Sequence, residues 1–190
     1  MSPVDAPQHD PDEHQVRPPI ACEACASALD ESKNRVLNST YEENGFAVSD
    51  DINIGVAVTT REGRKLEVPV VDNAGEKSLI EIARSTAGLV KRAREGDLPE
   101  SQTEGGTFTV TNIGAVGGEG VTSLVNYPEV GTASFGKIKK RPYVDEGEVV
   151  ARNTLPFSIT YDQRVAGNGV IARFAKDLKG YIDEPERLLL

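Results

Sequence analysis

Strand and helix signals are interleaved along this chain without a regular strand–helix–strand alternation, and that order constrains its fold more than any other feature. Ile52-Asn53-Ile54-Gly55-Val56-Ala57-Val58 reads as a strand from its branched apolar residues, and Leu66 to Val71 reads as a second strand beyond the turn Arg61-Glu62-Gly63-Arg64. Ser78-Leu79-Ile80-Glu81 is a capping box, in which the serine oxygen accepts from a free helix N–H and the glutamate reaches back. The helix it starts places Leu79, Ile82, Ala83, Thr86, Val90 and Ala93 on one face and ends at Gly96. Strands follow at Thr107 to Asn112 and Thr132 to Gly136, separated by the glycine-rich stretch Gly114 to Gly120. Asp145-Glu146-Gly147-Glu148 is a hairpin turn between Tyr143-Val144 and Val149-Val150. A strand over Thr154 to Tyr161 leads into a last helix lined by Val170, Ile171, Phe174, Leu178 and Ile182, which stops before Pro185. Such an order predicts an α+β fold, a sheet layer with helices packed against it.

A chain of 190 residues suits one domain with a real core. The net charge of −9 is uneven: residues 1–50 hold 10 acidic and 3 basic side chains, so most of the acidity is N-terminal. Five of the eleven prolines (Pro3, Pro7, Pro11, Pro18, Pro19) fall in the first twenty residues. The reading is therefore an acidic, Pro-rich, disordered tail over 1–35, with a short helix possible around Ala24, Ala28 and Leu29, and a folded domain over 36–190. No apolar run approaches the ~20 residues of a membrane span, and no apolar leader opens the chain. No basic face offers itself to nucleic acid. A cytoplasmic protein is the expectation.

His9, His14, Cys22 and Cys25 are all the histidines and cysteines of the chain. Two histidines and two cysteines are a donor set for tetrahedral zinc. The short span between the pairs, interrupted by Pro18-Pro19, favours a reduced polar tail over a zinc site or a Cys22–Cys25 disulfide. Gly114 to Gly120 lacks the order of a phosphate-binding loop. The basic run Lys137, Lys139, Lys140 and Arg141 reads as a solvated hairpin edge.

Several stretches resemble, in the same order, the catalytic domain of the dihydrolipoamide acyltransferases, the core subunits of 2-oxo acid dehydrogenase complexes. These are Asn53 to Val58, Leu66 to Val71, Lys77-Ser78-Leu79 with Ala93-Arg94-Glu95-Gly96, Gly105 to Gly114, and Asn126-Tyr127-Pro128-Glu129-Val130. The series closes on Asp162-Gln163-Arg164-Val165-Ala166-Gly167-Asn168-Gly169, which is similar to the family's Asp-His-Arg active-site motif. The resemblance runs from roughly Asn38 to Leu190. It implies the two-layer α+β sandwich shared with chloramphenicol acetyltransferase, here N-terminally incomplete because a first helix and strand have no counterpart. It also implies acyl transfer between dihydrolipoamide and coenzyme A as substrates. A homotrimer or larger core follows from it too, with the site between subunits and with a full-length acyltransferase and other complex subunits as partners. No lipoyl domain is recognisable in this chain.

By the same resemblance Gln163 stands at the position of the histidine base, Thr111 at the position of the oxyanion hydroxyl, and Asp162, Arg164 and Asn168 are structural at the site. A glutamine amide has no usable pKa near neutrality, and a positioned general base contributes ~10²–10⁴ in rate. Weak or lost activity is therefore expected. A non-catalytic core-forming or regulatory subunit and a degenerate remnant stand beside a weakened acyltransferase as readings.

Overall fold

The computed structural model describes residues 17–60, 65–114, 118–120 and 122–189. Its main elements are α1 (Pro18–Asp30), β1 (Ser39–Glu42), β2 (Gly45–Val48), β3 (Ile54–Thr59), β4 (Leu66–Glu67), β5 (Val70–Val71), α2 (Leu79–Glu95), β6 (Phe108–Asn112), β7 (Gly131–Phe135), β8 (Lys139–Asp145), β9 (Glu148–Thr154), β10 (Phe157–Tyr161) and α3 (Asn168–Asp183). The central sheet has the order β10-β7-β6-β3-β4, with β5 also pairing with β3. Strands β3, β6 and β7 run parallel, while β10, β4 and β5 are antiparallel to their neighbours. The stretch expected as one strand over Leu66 to Val71 divides into β4 and β5, and Pro69 between them still accepts from Val56 N at 2.8 Å. The expected turn at Arg61 to Arg64 lies outside the described residues.

Side-chain alternation makes the sheet two-faced. One face carries Ile54, Val56, Val58, Phe108, Val110, Ala133 and Phe135, all buried under the helices. Phe108 meets Phe174 of α3 edge-on, with ring centroids 5.5 Å apart. Burial of each ring stabilises the fold by about 1.5–3 kcal/mol, and the edge contact adds about 0.5–1.5 kcal/mol. The other face is a grid of hydroxyls: Thr109, Thr132 and Thr160 lie in one rung, and Thr111, Ser134 and Ser158 in the next. Residues 122–128 cross part of that face, where Ser134 donates to Ser123 at 2.7 Å and Thr132 donates to the Leu124 carbonyl at 3.4 Å.

Over Pro18–Asp30, helix α1 corrects the expectation of a disordered tail, while residues 1–16 of that expected tail lie outside the described residues. Pro18 and Pro19 occupy its first turn, where a missing N–H costs no hydrogen bond. Ala21, Cys22, Ala24, Cys25, Ala26, Ala28 and Leu29 are fully buried, and the helix packs against both α2 and α3. Its small side chains let neighbours approach on every side. Among the described residues, order thus begins well before position 36, with α1 opening at Pro18. Cys22 and Cys25 are free thiols in this core. Burial pushes Cys22 up to about 12, helped by the charge of Glu23, and Cys25 well above its ordinary value. Both shifts oppose the thiolate that zinc requires. His9 and His14 lie outside the described residues. Among the described residues no helix is long and apolar enough to cross a membrane.

Two hairpins complete the fold. The pair β1–β2, absent from the sequence reading, packs beside the 126–129 segment through a Thr40–Glu129 bridge. The hairpin expected around Asp145 to Glu148 is present as β8–β9, and it extends as a separate two-stranded ladder from Lys139 to Thr154.

Candidate active site

The turn after β10 is held by hydrogen bonds within itself and to its neighbour. Asp162 N donates to the Val130 carbonyl at 2.8 Å, which ties the turn to the start of β7. The Asp162 carbonyl accepts from Val165 and Ala166, both at 3.1 Å. The Asp162 carboxylate takes Arg164 Nε at 3.0 Å on each oxygen and the Arg164 backbone N–H at 2.9 Å. These donors hold its pKa below the usual carboxylate range. The Arg164 guanidinium stacks on Tyr41 of β1, 4.1 Å from the ring centroid. Gln163 projects from this frame as an exposed side chain. Gly167 is the N-cap of α3 and caps it without a side chain. Asn168, the first helical residue, accepts from the Tyr161 hydroxyl at 2.5 Å.

Thr111 sits half-buried on β6 between Ala57 of β3 and Ser134 of β7. It edges a hollow of about 270 Å³ whose walls include Val56, Val58, Val90 and Arg94. Lys139 and Arg141 of the basic run pair with Glu119, which draws the Glu119 pKa down.

One chain does not bring Thr111 and Gln163 together. Thr111 is opposite Ser134 on one side of β7, and Tyr161 is opposite Gly131 on the other side. Two strand spacings across and three residues along separate Thr111 from Tyr161 by ~14 Å. Gln163 lies two residues further on.

The model of the 2-oxoacid dehydrogenases acyltransferase family, catalytic domain, matches residues 11–190. This chain belongs to that family. The match takes in α1 and so begins earlier than the Asn38 start of the resemblance. A dihydrolipoyllysine-residue acetyltransferase component of the acetoin cleaving system of Bacillus subtilis (strain 168) is 36% identical over 87% of the chain. The corresponding component of the pyruvate dehydrogenase complex of the same organism is 35% identical over 90%. The chain spans about two fifths of the length of these curated relatives, 41% and 38% respectively.

Among solved structures, the cubic core of the pyruvate dehydrogenase multienzyme complex aligns with a TM-score of 0.83 at 34% identity, over 90% of this chain and 70% of that one. A dihydrolipoamide acetyltransferase of Azotobacter vinelandii aligns with the same score, identity and coverage, and the catalytic roles of a serine, a histidine and an asparagine were investigated in it. Chloramphenicol acetyltransferase, at 12% identity and a TM-score of 0.56 over 86% of this chain and 76% of that one, shares the fold alone. The expected two-layer sandwich is therefore the fold of this chain.

Proposed function

We propose that this family member forms an acyl-transfer site between dihydrolipoamide and coenzyme A, completed by a second copy of the chain within a trimer, and that its turnover is low. The observation that carries the reading is the placement of Thr111 and Gln163. The interval between them equals the interval between the serine and the histidine of the Azotobacter acetyltransferase, and Gly167 falls where that protein has its asparagine. The two residues lie at separated places of one sheet, so Thr111 needs the Gln163 turn of a second copy to form a single site.

The β8–β9 hairpin supports assembly. It leaves Tyr143 and Val150 exposed as a pair on one face of a two-stranded ladder and Val144 and Val149 exposed as a pair on the other. Within the assembled site an attacking thiolate forms a bond to the thioester carbonyl carbon, the Thr111 hydroxyl donates to the oxygen that becomes negative, and the other thiolate leaves. Gln163 can hold the thiol by a hydrogen bond but cannot take its proton. Deprotonation is left to solvent.

A non-catalytic, core-forming subunit is the second reading. It is favoured by the joint departure at Gln163 and Gly167. A transfer assay on the full chain, from acyl-coenzyme A to dihydrolipoamide, separates the two. Turnover about 10²–10⁴ below that of a histidine-bearing relative supports a weakened enzyme. No detectable transfer from a stable closed assembly supports the scaffold. Turnover within tenfold of the relative overturns the role given to Gln163.

A further inference from the structure

Glu129 is buried, with 4% exposure, at the joint between the two parts of the site. Its side chain reaches across the sheet to Thr109, whose hydroxyl lies 2.6 Å from Oε2, while Asn126 Nδ2 donates to Oε1 at 3.2 Å. Gly106 makes room for it, since a Cβ there would sit 2.9 Å from Oε1. Thr109 shares the hydroxyl face with Thr111, two residues on.

The backbone on either side of Glu129 holds the rest of the site. Tyr41 N donates to the Pro128 carbonyl at 2.7 Å, and Asp162 N donates to the Val130 carbonyl at 2.8 Å. Tyr41 in turn carries Arg164 on its ring. A single residue therefore grips the Thr111 strand with its side chain and the Gln163 turn through its neighbours' peptide groups.

Among the described residues no lysine or arginine pairs with Glu129. Glu104 and Tyr127 line the same hollow of about 540 Å³. Beyond β1 stand Tyr41 and Arg164, the latter committed to Asp162. Desolvation accordingly pushes the Glu129 carboxyl up to about 7, against the donation from Thr109 and Asn126.

We propose that Glu129 is a pH-sensitive latch, clipping the 126–130 segment to β6 as the neutral acid and releasing it as the carboxylate. The latch bears on two neighbouring sites at once, a consequence that rests on the trimeric reading above. Opening returns the carboxyl to water and to its ordinary value of 4.5. The closed form is thus most stable below that value and loses ground as pH rises. The opening constant climbs about tenfold per pH unit toward about 7 and levels beyond.

Hydrogen exchange on the full chain tests this without any catalytic readout, so its failure is distinct from failure of the acyl-transfer reading. After division by the intrinsic base-catalysed rate, protection of residues 122–130 and 160–166 is expected to fall about fortyfold from pH 5 to pH 7 and to level by about pH 8. Glu129→Gln keeps the shape and hydrogen bonds without titrating, and is expected to abolish the fall. Glu23 in α1, also buried and pushed up to about 7, is unchanged in that variant. A pH response that survives Glu129→Gln therefore overturns the latch, as does flat protection in the natural chain. Thr109→Val provides a second test that does not depend on the Glu129→Gln variant folding. It removes a donor that lowers the Glu129 pKa, so the fall must continue past about pH 8, and a fall that still levels by about pH 8 overturns the proposal.

Discussion

Gln163→His is expected to raise the rate of acyl transfer by about 10²–10⁴, mostly in kcat. The turn that presents this residue does not depend on the glutamine side chain. It is fixed by the Asp162–Val130 backbone bond, the Asp162–Arg164 pair and the stacking of Arg164 on Tyr41. An exposed position accepts an imidazole without repacking. The gain should fall toward the lower end of that range, because Gly167 offers no side chain to orient the ring and Asn168 is held by Tyr161. A rising limb near the ordinary histidine pKa of about 6.5 should appear in the pH–rate profile. Transfer assays on the natural chain and the variant check this. An unchanged rate would mean that the missing base does not limit turnover.

Thr111→Val in the Gln163→His background is expected to cost about 10²–10³ in kcat with little change in KM. Valine is close in shape to threonine and suits a strand, and the flanking Ala57 and Ser134 leave the site uncrowded. The loss would therefore report the hydroxyl and not the fold. Thr111→Ser should retain most of the activity, since serine keeps the donor. If valine and serine behaved alike, Thr111 would be an ordinary strand residue and the oxyanion donor would lie elsewhere.

Sequence signals are reliable where their physics is local. The Ser78–Glu81 capping box and the left-handed Gly96 delimit α2, because both act within one turn of backbone. The strands β3, β6, β7 and β10 are near their expected places because branched and aromatic residues crowd them. Helix α1 reads as tail because Pro18-Pro19 and its acidic surroundings suggest disorder, and because Ala and Cys give no apolar stripe. Burial on every side leaves no polar face to create a period. The β1–β2 hairpin turns at Glu43-Asn44, with Gly45 already paired to Glu42, so the Asn44-Gly45 pair does not mark its loop, and its strands are short and lack a strong apolar alternation.

The site is legible as residue types, not as geometry. Nothing local in Asn126-Tyr127-Pro128-Glu129 announces a buried acid, since a glutamate beside a proline reads as surface loop. Its burial comes from Thr109, Gly55 and Gly106, which are distant in sequence. Likewise the separation of Thr111 from Gln163 follows only from strand order and register.

The central claim is that these two residues meet between copies and not within one. Cross-linking of a Thr111→Cys, Gln163→Cys double variant by a short bis-maleimide tests it most directly, because Cys22 and Cys25 are buried and burial disfavours their thiolates. The account predicts covalent dimers and trimers that require both introduced cysteines. A product that remains monomeric, with its cross-link inside one chain or absent from an intact assembly, would contradict it.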